Sequence, residues 1–261
     1  MAMPIYANKY INKFDGGKLM KKILTFALML VAFASLTSCK KKEENNQNGN
    51  NENQGGNTPA VRTYIVDGEY TAYSIDPDAT KPEVTLVTVT IKDDKVSAVN
   101  IDTIQGSVNK EAKTAAFNEK SKKELGYAYH MHWYSYLPEA GEEANDEGYA
   151  AWLKANEKLE WFEQMALVEA QIVASGVDSV KVNADSKFEG IAGVTVGAYD
   201  YIELAKEAIQ MAKEGKKQYV IAREDDLVVA SANVDKDGKL SNIVLDEITG
   251  YIDKATGDWS W

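Results

Sequence analysis

The chain has 261 residues, a formal net charge of −11 and a single cysteine. Such an acidic protein repels nucleic acid and anionic lipid head groups, so we expect no nucleic-acid partner. One cysteine excludes an intramolecular disulfide and any cysteine-based metal or iron–sulfur centre. The sequence also lacks a P-loop, a dinucleotide-binding glycine fingerprint and a recognisable Ser/His/Asp or Cys/His catalytic set, so it names no catalytic residue.

The first 38 residues have the layout of a secretory signal peptide. Lys21 and Lys22 precede an apolar run over residues 23–35, which is shorter than the about 20 residues needed to span a bilayer. A buried core helix is the alternative for this run. Because Met20 opens the well-formed part of the signal, we expect translation to start there.

The signal ends in Leu36-Thr37-Ser38-Cys39, which resembles a lipobox. This resemblance predicts cleavage before Cys39 and lipidation of its thiol. The lipid would anchor the protein in the cell membrane or outer membrane, facing the extracytoplasmic side.

Residues 39–60 contain the cysteine and a run of Asn, Gln, Gly and Glu without a large apolar side chain. Such a segment buries too little surface to offset its ordering entropy, so we expect a flexible tether. Residues 1–38 carry five lysines and one aspartate, a net charge of +4, which leaves −15 for the chain from Cys39 onward. We divide the remainder into a domain over 61–215 and a shorter unit over 216–261.

The globular part opens with β-strand patterns. Residues 68–73 predict a strand, and alternating residues 85–91 and 96–101 flank an Asp93-Asp94-Lys95 turn, which predicts an antiparallel hairpin. Residues 87–106 align without a gap to residues 231–250, and identical pairs include Lys92/Lys236, Asp93/Asp237, Lys95/Lys239, Ser97/Ser241, Asp102/Asp246, Ile104/Ile248 and Gly106/Gly250. We therefore predict a partial C-terminal repeat of the hairpin.

Three helical segments are predicted between the hairpins. The first covers residues 110–125 and ends at Gly126, and the second lies within 150–175, where apolar residues recur at helical spacing before Gly176. The third runs from Asp200 to Glu214, with a capping box formed by Asp200 and Glu203. Hairpins separated by helices predict an α+β fold built on antiparallel sheet.

A glycine-containing segment, Glu189-Gly190-Ile191-Ala192-Gly193-Val194-Thr195, precedes the third helix. Glycines allow a close approach of the backbone to a ligand, and a helix N-terminus favours negative charge. A plain turn before a helix explains the same residues.

The segment resembles the attachment motif of the FMN-binding domain family, which includes the flavin subunits of Rnf and Nqr complexes and flavinylated extracellular electron-transfer lipoproteins. The motif has the form Asp-x-x-Ser-Gly-Ala-Thr; Gly193 and Thr195 match it, Glu189 is a conservative change, and Ala192 and Val194 depart from it. The opening of the globular part at residues 67–72 resembles the start of these domains, and residues 158–173 resemble the segment that precedes the motif in the lipoprotein members.

The resemblance implies an FMN-binding-domain-like fold and an FMN joined to Thr195 by a phosphoester, with Glu189, Gly190, Ala192, Gly193 and Val194 around it. It implies a flavin transferase that attaches the cofactor and membrane electron-transfer proteins as donors. The protein would then be an electron-transfer flavoprotein rather than a substrate-converting enzyme.

Two other functions stay open. A surface lipoprotein of the same fold without flavin would be a non-enzymatic binding or antigenic module, and a solute-capture lipoprotein would have an apolar cleft with a few polar groups.

The only two histidines lie in His130-Met131-His132-Trp133. If this segment were a strand, both side chains would lie on one face, as in a pair of metal ligands, but no third ligand is evident. We therefore favour aromatic packing and predict no metal site. Trp133 or Tyr134 could instead contact the flavin. The acidic run over residues 139–147 lacks a calcium-loop pattern and is expected to be solvated. Burial is favoured for Trp259 and Trp261 at the C-terminus.

Overall fold

A computed structural model describes residues 62–261. The fold has antiparallel sheets and several helices, which confirms the α+β class. The predicted signal peptide, Cys39 and most of the tether lie outside the described residues, so the predictions made for them stay predictions.

The first sheet contains four antiparallel strands in the order β1-β2-β3-β4. Their bounds are Gly68–Ile75, Glu83–Lys92, Lys95–Asn109 and Thr114–Phe117. The predicted turn joins β2 to β3 through Asp93 and Asp94, with φ values of 52° and 59°. Positive φ at both central residues matches the right-handed twist of a two-residue hairpin, and aspartate tolerates it. The predicted opening strand and hairpin are confirmed.

Within residues 62–261, five α-helices follow in chain order. Their bounds are α1 Lys122–Leu125, α2 Trp133–Ala140, α3 Asp146–Ala155, α4 Trp161–Ser175 and α5 Tyr201–Glu214. Short 3-10 turns lie at Gly126–Tyr129, Gly141–Glu143 and Val177–Ser179. Helix α5 packs against β1 and β2, and α4 packs against β3, so one face of the first sheet and these two helices enclose the main core.

The helix predicted over residues 110–125 is wrong for most of its length. Strand β3 continues to Asn109, the chain turns, and β4 pairs back with Gly106–Asn109. Only α1 is helical, beginning after Ser121, whose side chain accepts from the Glu124 N–H. Helix propensity is a weak preference, and strand pairing overrides it here.

The predicted helical region over residues 150–175 is interrupted. Helix α3 ends at Ala155, Glu157 has a φ of 52°, and α4 begins at Trp161. Glu160 is the N-cap of α4 and forms a capping box with Glu163. The predicted end at Gly176 is confirmed.

A second antiparallel sheet has the order β7-β8-β9, with bounds Lys216–Arg223, Asp226–Val234 and Leu240–Thr249. Two short pairs complete the strands: β5 Lys181–Val182 with β6 Phe188–Glu189, and β10 Tyr251–Ile252 with β11 Trp259–Ser260.

Both aligned segments are hairpins. In each, the equivalent aspartate accepts from the next amide: Thr103 N to Asp102 Oδ1 is 2.8 Å, and Glu247 N to Asp246 Oδ1 is 2.9 Å. The connections differ, because a two-residue turn joins β2 to β3, whereas residues 235–239 separate the last pair of β8 and β9. The pairing register is consequently shifted by one residue from the ungapped alignment.

Strands β1 and β7 contact each other through a buried lysine. The Lys217 ammonium donates to the Glu69 carbonyl at 2.8 Å and lies 4.1 Å from the centre of the Tyr70 ring. The link therefore ties the chain after α5 to the first strand of the first sheet.

The C-terminal segment packs back on the protein. Trp259 is buried, which confirms that prediction, and Trp261 is half-buried with its ring centre 6.0 Å from that of Phe117. None of the helices within residues 62–261 is long and apolar enough to cross a membrane.

Candidate functional site

The predicted motif lies on a surface loop whose two ends are tied together. An isolated antiparallel bridge joins Lys187 to Gly197, and the Ala198 N–H donates to the Ser186 carbonyl at 2.8 Å. The bridge closes the loop over residues 188–196 just before α5.

A buried amide of α4 holds the loop from beneath. Gln164 is 1% exposed, and its Oε1 accepts from the Thr195 N–H at 2.7 Å and from the Val196 N–H at 3.1 Å. Its Nε2 donates to the Leu159 carbonyl at 2.9 Å. Two backbone groups of the loop are thus satisfied by one side chain in the core, which fixes the loop at Thr195.

Thr195 itself is exposed. Its hydroxyl donates to Gln164 Oε1 at 3.3 Å, and its carbonyl accepts from the Lys187 ammonium at 3.2 Å. Thr195 is thus an exposed residue whose backbone carbonyl contacts a cation, the kind of group that pairs with phosphate.

The glycines of the motif have left-handed backbone. Gly190 has a φ of 75° and Gly193 a φ of 84°. A Cβ at Gly193 would lie 2.9 Å from Leu159 Cδ1, so the bare backbone rests on this side chain, whereas a Cβ at Gly190 would meet nothing within 4 Å. The absence of a side chain at Gly193 therefore lets the loop backbone pack directly on Leu159.

The other predicted residues surround the threonine without contacting its hydroxyl through any identified hydrogen bond. Glu189 and Ala192 are exposed, and Glu189 pairs with Lys181 in the β5–β6 ladder. Val194 packs against the main core and donates its N–H to the Ile191 carbonyl at 3.3 Å. Ala192 and Val194, the two departures from the motif, thus face opposite environments.

An open cleft of about 460 Å³ adjoins the loop at Gly193. Its apolar and aromatic lining includes Tyr127, Leu153 and Leu159, and its charged lining includes Lys154 and Lys158 as well as Glu157 and Glu163. The volume falls within the about 300–1,000 Å³ of small-molecule sites. A planar ring against the apolar wall and an anionic group toward the lysines both fit the residues present.

The start of α5 differs in detail from the prediction. Asp200 is the N-cap, but its side chain makes no cap hydrogen bond and instead accepts from the Ser74 hydroxyl. The predicted capping box with Glu203 is therefore wrong, because the Asp200 carboxylate is held by β1. Gly215 ends the helix with a φ of 68°, as predicted.

A second cleft, of about 650 Å³, lies at the start of α5. It contains the buried Lys122, whose Nζ is 5.4 Å from the ring centres of both Tyr129 and Trp161 and 3.9 Å from Glu83 Oε1. Burial lowers the pKa of Lys122. Four carboxylates line the same cleft, namely those of Asp76, Asp78, Glu83 and Asp200.

The histidine segment is a turn rather than a strand. His130 has a φ of 61°, and His132 is the residue before α2. The His130 ring stacks on Trp133 with centres 4.0 Å apart, and its Nε2 is 2.7 Å from Asp146 Oδ1. Aromatic packing in this segment is confirmed, and no group of three or more potential metal ligands occurs among residues 62–261.

The acidic segment after α2 is mostly exposed, in agreement with the prediction. It forms the end of α2, a 3-10 turn and the first turn of α3, where Asn145 caps the helix by accepting from the Gly148 N–H at 2.8 Å.

Sequence reasoning missed Gln164 and Lys187. Gln164 lies three residues after Trp161, on the buried side of α4 beside Met165, so a polar residue within an apolar stripe was the available signal. Lys187 had no comparable signal, because only the bridge to Gly197 brings it near Thr195.

No family model matches the chain, and no curated protein sequence matches it. A solution NMR structure of a protein from Clostridium thermocellum is similar at 24% identity and a TM-score of 0.31, covering 56% of this chain and 91% of that one. A TM-score this low supports no functional comparison.

Proposed function

We propose that this protein is an extracytoplasmic lipoprotein that carries FMN covalently on Thr195 and relays electrons. The observation that carries the proposal is the threonine itself: an exposed residue, in a motif that resembles a flavin attachment site, on a loop fixed to the core by Gln164. A lipid on Cys39 would keep the flavin near the membrane, where electron-transfer proteins act as donors.

The chain's own residues would position the cofactor. Thr195 Oγ1 would supply the attachment oxygen, and Lys187, which contacts the Thr195 carbonyl, would be a cation available to pair with the phosphodiester. The cleft at Gly193 offers apolar wall for a ring system and lysines for anionic groups. FMN would supply one- and two-electron chemistry, and the protein would contribute position and electrostatics.

The proposal is tested by co-expressing the protein with a flavin transferase. Thr195→Ala removes the attachment oxygen and should abolish covalent FMN, while Thr195→Ser keeps the oxygen and should retain some. Thr80→Ala, at another exposed loop threonine, is the matched control. Intact mass and flavin fluorescence on a denaturing gel separate covalent from contact-bound FMN. A folded Thr195→Ala protein that keeps covalent flavin would contradict the assignment.

The two departures from the motif permit a sharper version. Ala192→Ser and Val194→Ala together restore the Ser-Gly-Ala-Thr end of the family pattern and leave Glu189 in place; Ala192 is exposed while Val194 is half-buried. If the parent gains no flavin and the restored variant does, the fold supports attachment but the natural site does not. If neither gains flavin while a standard substrate does, the flavin-free surface lipoprotein is favoured.

The proposed electron relay is tested on protein that carries covalent FMN. Reduction with dithionite should bleach the flavin absorbance, and a soluble one-electron oxidant such as ferricyanide should restore it. A flavin that cannot be re-oxidised by any outer-sphere acceptor would leave attachment intact and contradict the relay.

A further inference from the structure

The orientation of the Gln164 amide is fixed by three hydrogen bonds to backbone groups. Its Nε2 faces the Leu159 carbonyl, which only accepts, and its Oε1 faces the Thr195 and Val196 N–H groups, which only donate. Exchanging nitrogen and oxygen would oppose donor to donor and acceptor to acceptor. Oε1 is therefore the atom that meets the Thr195 side chain.

This orientation settles what the threonine hydroxyl does. Because Oε1 only accepts, Thr195 Oγ1 must donate its proton to it, across 3.3 Å. The lone pairs of Oγ1 then point away from Oε1, and Thr195 is an exposed residue. The two backbone hydrogen bonds, at 2.7 and 3.1 Å, fix the loop, and the longer hydroxyl bond selects one of the threonine rotamers.

We propose that Gln164 is the positioning residue that presents the Thr195 oxygen for modification. This inference rests on the proposed function. The resemblance implies that the transferase takes FMN from FAD; a bond would then form between Thr195 Oγ1 and the FMN phosphorus as the pyrophosphate bond breaks and AMP leaves. The hydroxyl proton passes to a base of the transferase, because an amide oxygen is too weak a base to take it. Gln164 thus sets the direction of the attacking lone pair.

The kinetic test compares three full-length variants as transferase substrates. Gln164→Met keeps the length of the side chain and removes the acceptor. Gln164→Glu keeps an acceptor for the loop and loses the donor to Leu159. Gln171→Met is the matched control, because Gln171 lies on the same helix and its Nε2 contacts Ser179 Oγ at 3.4 Å.

Positioning predicts an ordered series of initial rates. Gln164→Met should flavinylate about tenfold more slowly or worse, Gln164→Glu should lose less, and Gln171→Met should match the parent. Thermal unfolding checks that each variant is folded. Equal rates for Gln164→Met and the parent would overturn the proposal.

A second measurement is made on protein without flavin. Side-chain coupling constants should give a single χ1 rotamer for Thr195 in the parent, and the Thr195 and Val196 amides should exchange slowly with solvent. Gln164→Met should average the rotamers and speed both exchanges. Rotamer averaging in the parent would overturn the proposal without any variant. A parent that is never flavinylated would contradict the proposed function, whereas the rotamer and exchange measurements would still test the role of Gln164.

Discussion

Among single residues, Lys217 is held in an unusual environment for a lysine. It is 5% exposed, and its one identified hydrogen bond is to the Glu69 carbonyl. The cation lies over the Tyr70 ring, which partly compensates for lost hydration. Burial lowers the pKa of Lys217 from 10.5 to about 8. The folded protein therefore releases this proton more readily than the unfolded chain.

The lowered pKa predicts how stability changes with pH. Between pH 8 and 10.5 the unfolded chain holds the proton and the folded protein does not, so stability rises with pH across that window. Relative to Lys217→Met, the parent should gain about 2 kcal/mol of unfolding free energy from pH 7.5 to 9.5. Urea unfolding at both pH values measures this gain. A parent and variant that respond identically would show that the ammonium is hydrated.

The sequence could nominate Thr195 and Gly193 as candidates because the motif that carries the resemblance lies within seven consecutive residues. A glycine with positive φ and a threonine before a helix leave a pattern within a few residues. Gln164 could not be assigned to the site, since its partners Thr195 and Val196 are 31 and 32 residues away and no local signal reports them. Lys122 was likewise missed, because it is a charged residue whose burial depends on tertiary packing.

At the scale of elements, the junction before α4 depends on a buried carboxylate. Glu160 is fully buried, and its oxygens accept from the Trp161 N–H at 2.8 Å and the Tyr149 hydroxyl at 2.6 Å, and from the Met131 N–H. Burial and the Glu160 carboxylate raise the pKa of Tyr149, which keeps that phenol protonated as a donor. Every partner donates, so the site requires a group that only accepts.

This requirement predicts a penalty for a nearly isosteric change. Glu160→Gln would place an NH₂ group against the Trp161 N–H in one orientation and would force the Tyr149 hydroxyl to accept instead of donate in the other, so it should lower the unfolding free energy by about 1–3 kcal/mol. Glu163→Gln is the control, because glutamine also serves at that position of a capping box. Guanidinium unfolding compares the two. Equal losses would mean that the cap, rather than the buried acceptors, sets the cost.

The elements were predictable where a periodic pattern coincided with a clear boundary residue. The β2–β3 hairpin and α5 were found on these grounds. Residues 114–117 were predicted as helix because their composition favours it, while their pairing with β3 depends on a neighbouring strand. The break before α4 was missed because Glu157 has a positive φ of 52° although it is not a glycine, so its residue type does not indicate a turn.

Over the whole molecule, the two aligned hairpins are used differently. Strand β3 is covered by α4, and Ile101 is fully buried with its N–H donating to Glu169 Oε1 at 2.6 Å. The aligned residue in β9, Leu245, is 40% exposed, and its neighbours Ile243 and Val244 are more than half exposed. Similar sequence therefore forms core in one hairpin and surface in the other.

The difference predicts unequal costs for equivalent truncations. Ile101→Ala should lower the unfolding free energy by about 2–5 kcal/mol, as for buried aliphatic residues. Leu245→Ala should cost less than about 1 kcal/mol. Denaturant unfolding with one common slope measures both. A cost at Leu245 matching that at Ile101 would indicate that β9 is covered in solution.

The link from Lys217 to Glu69 also bears on the order of folding. Each hairpin closes a short loop, whereas this link joins residues 148 apart. Closing so long a loop costs more chain entropy, so the β1–β7 contact and the packing of α5 on β1, which closes nearly the same loop, should both form after the two hairpins. The Lys217–Glu69 contact is then largely absent from the transition state for folding, so it slows unfolding more than it accelerates folding. The buried lysine would thus form its contact late in folding and slow unfolding by holding β1 to β7.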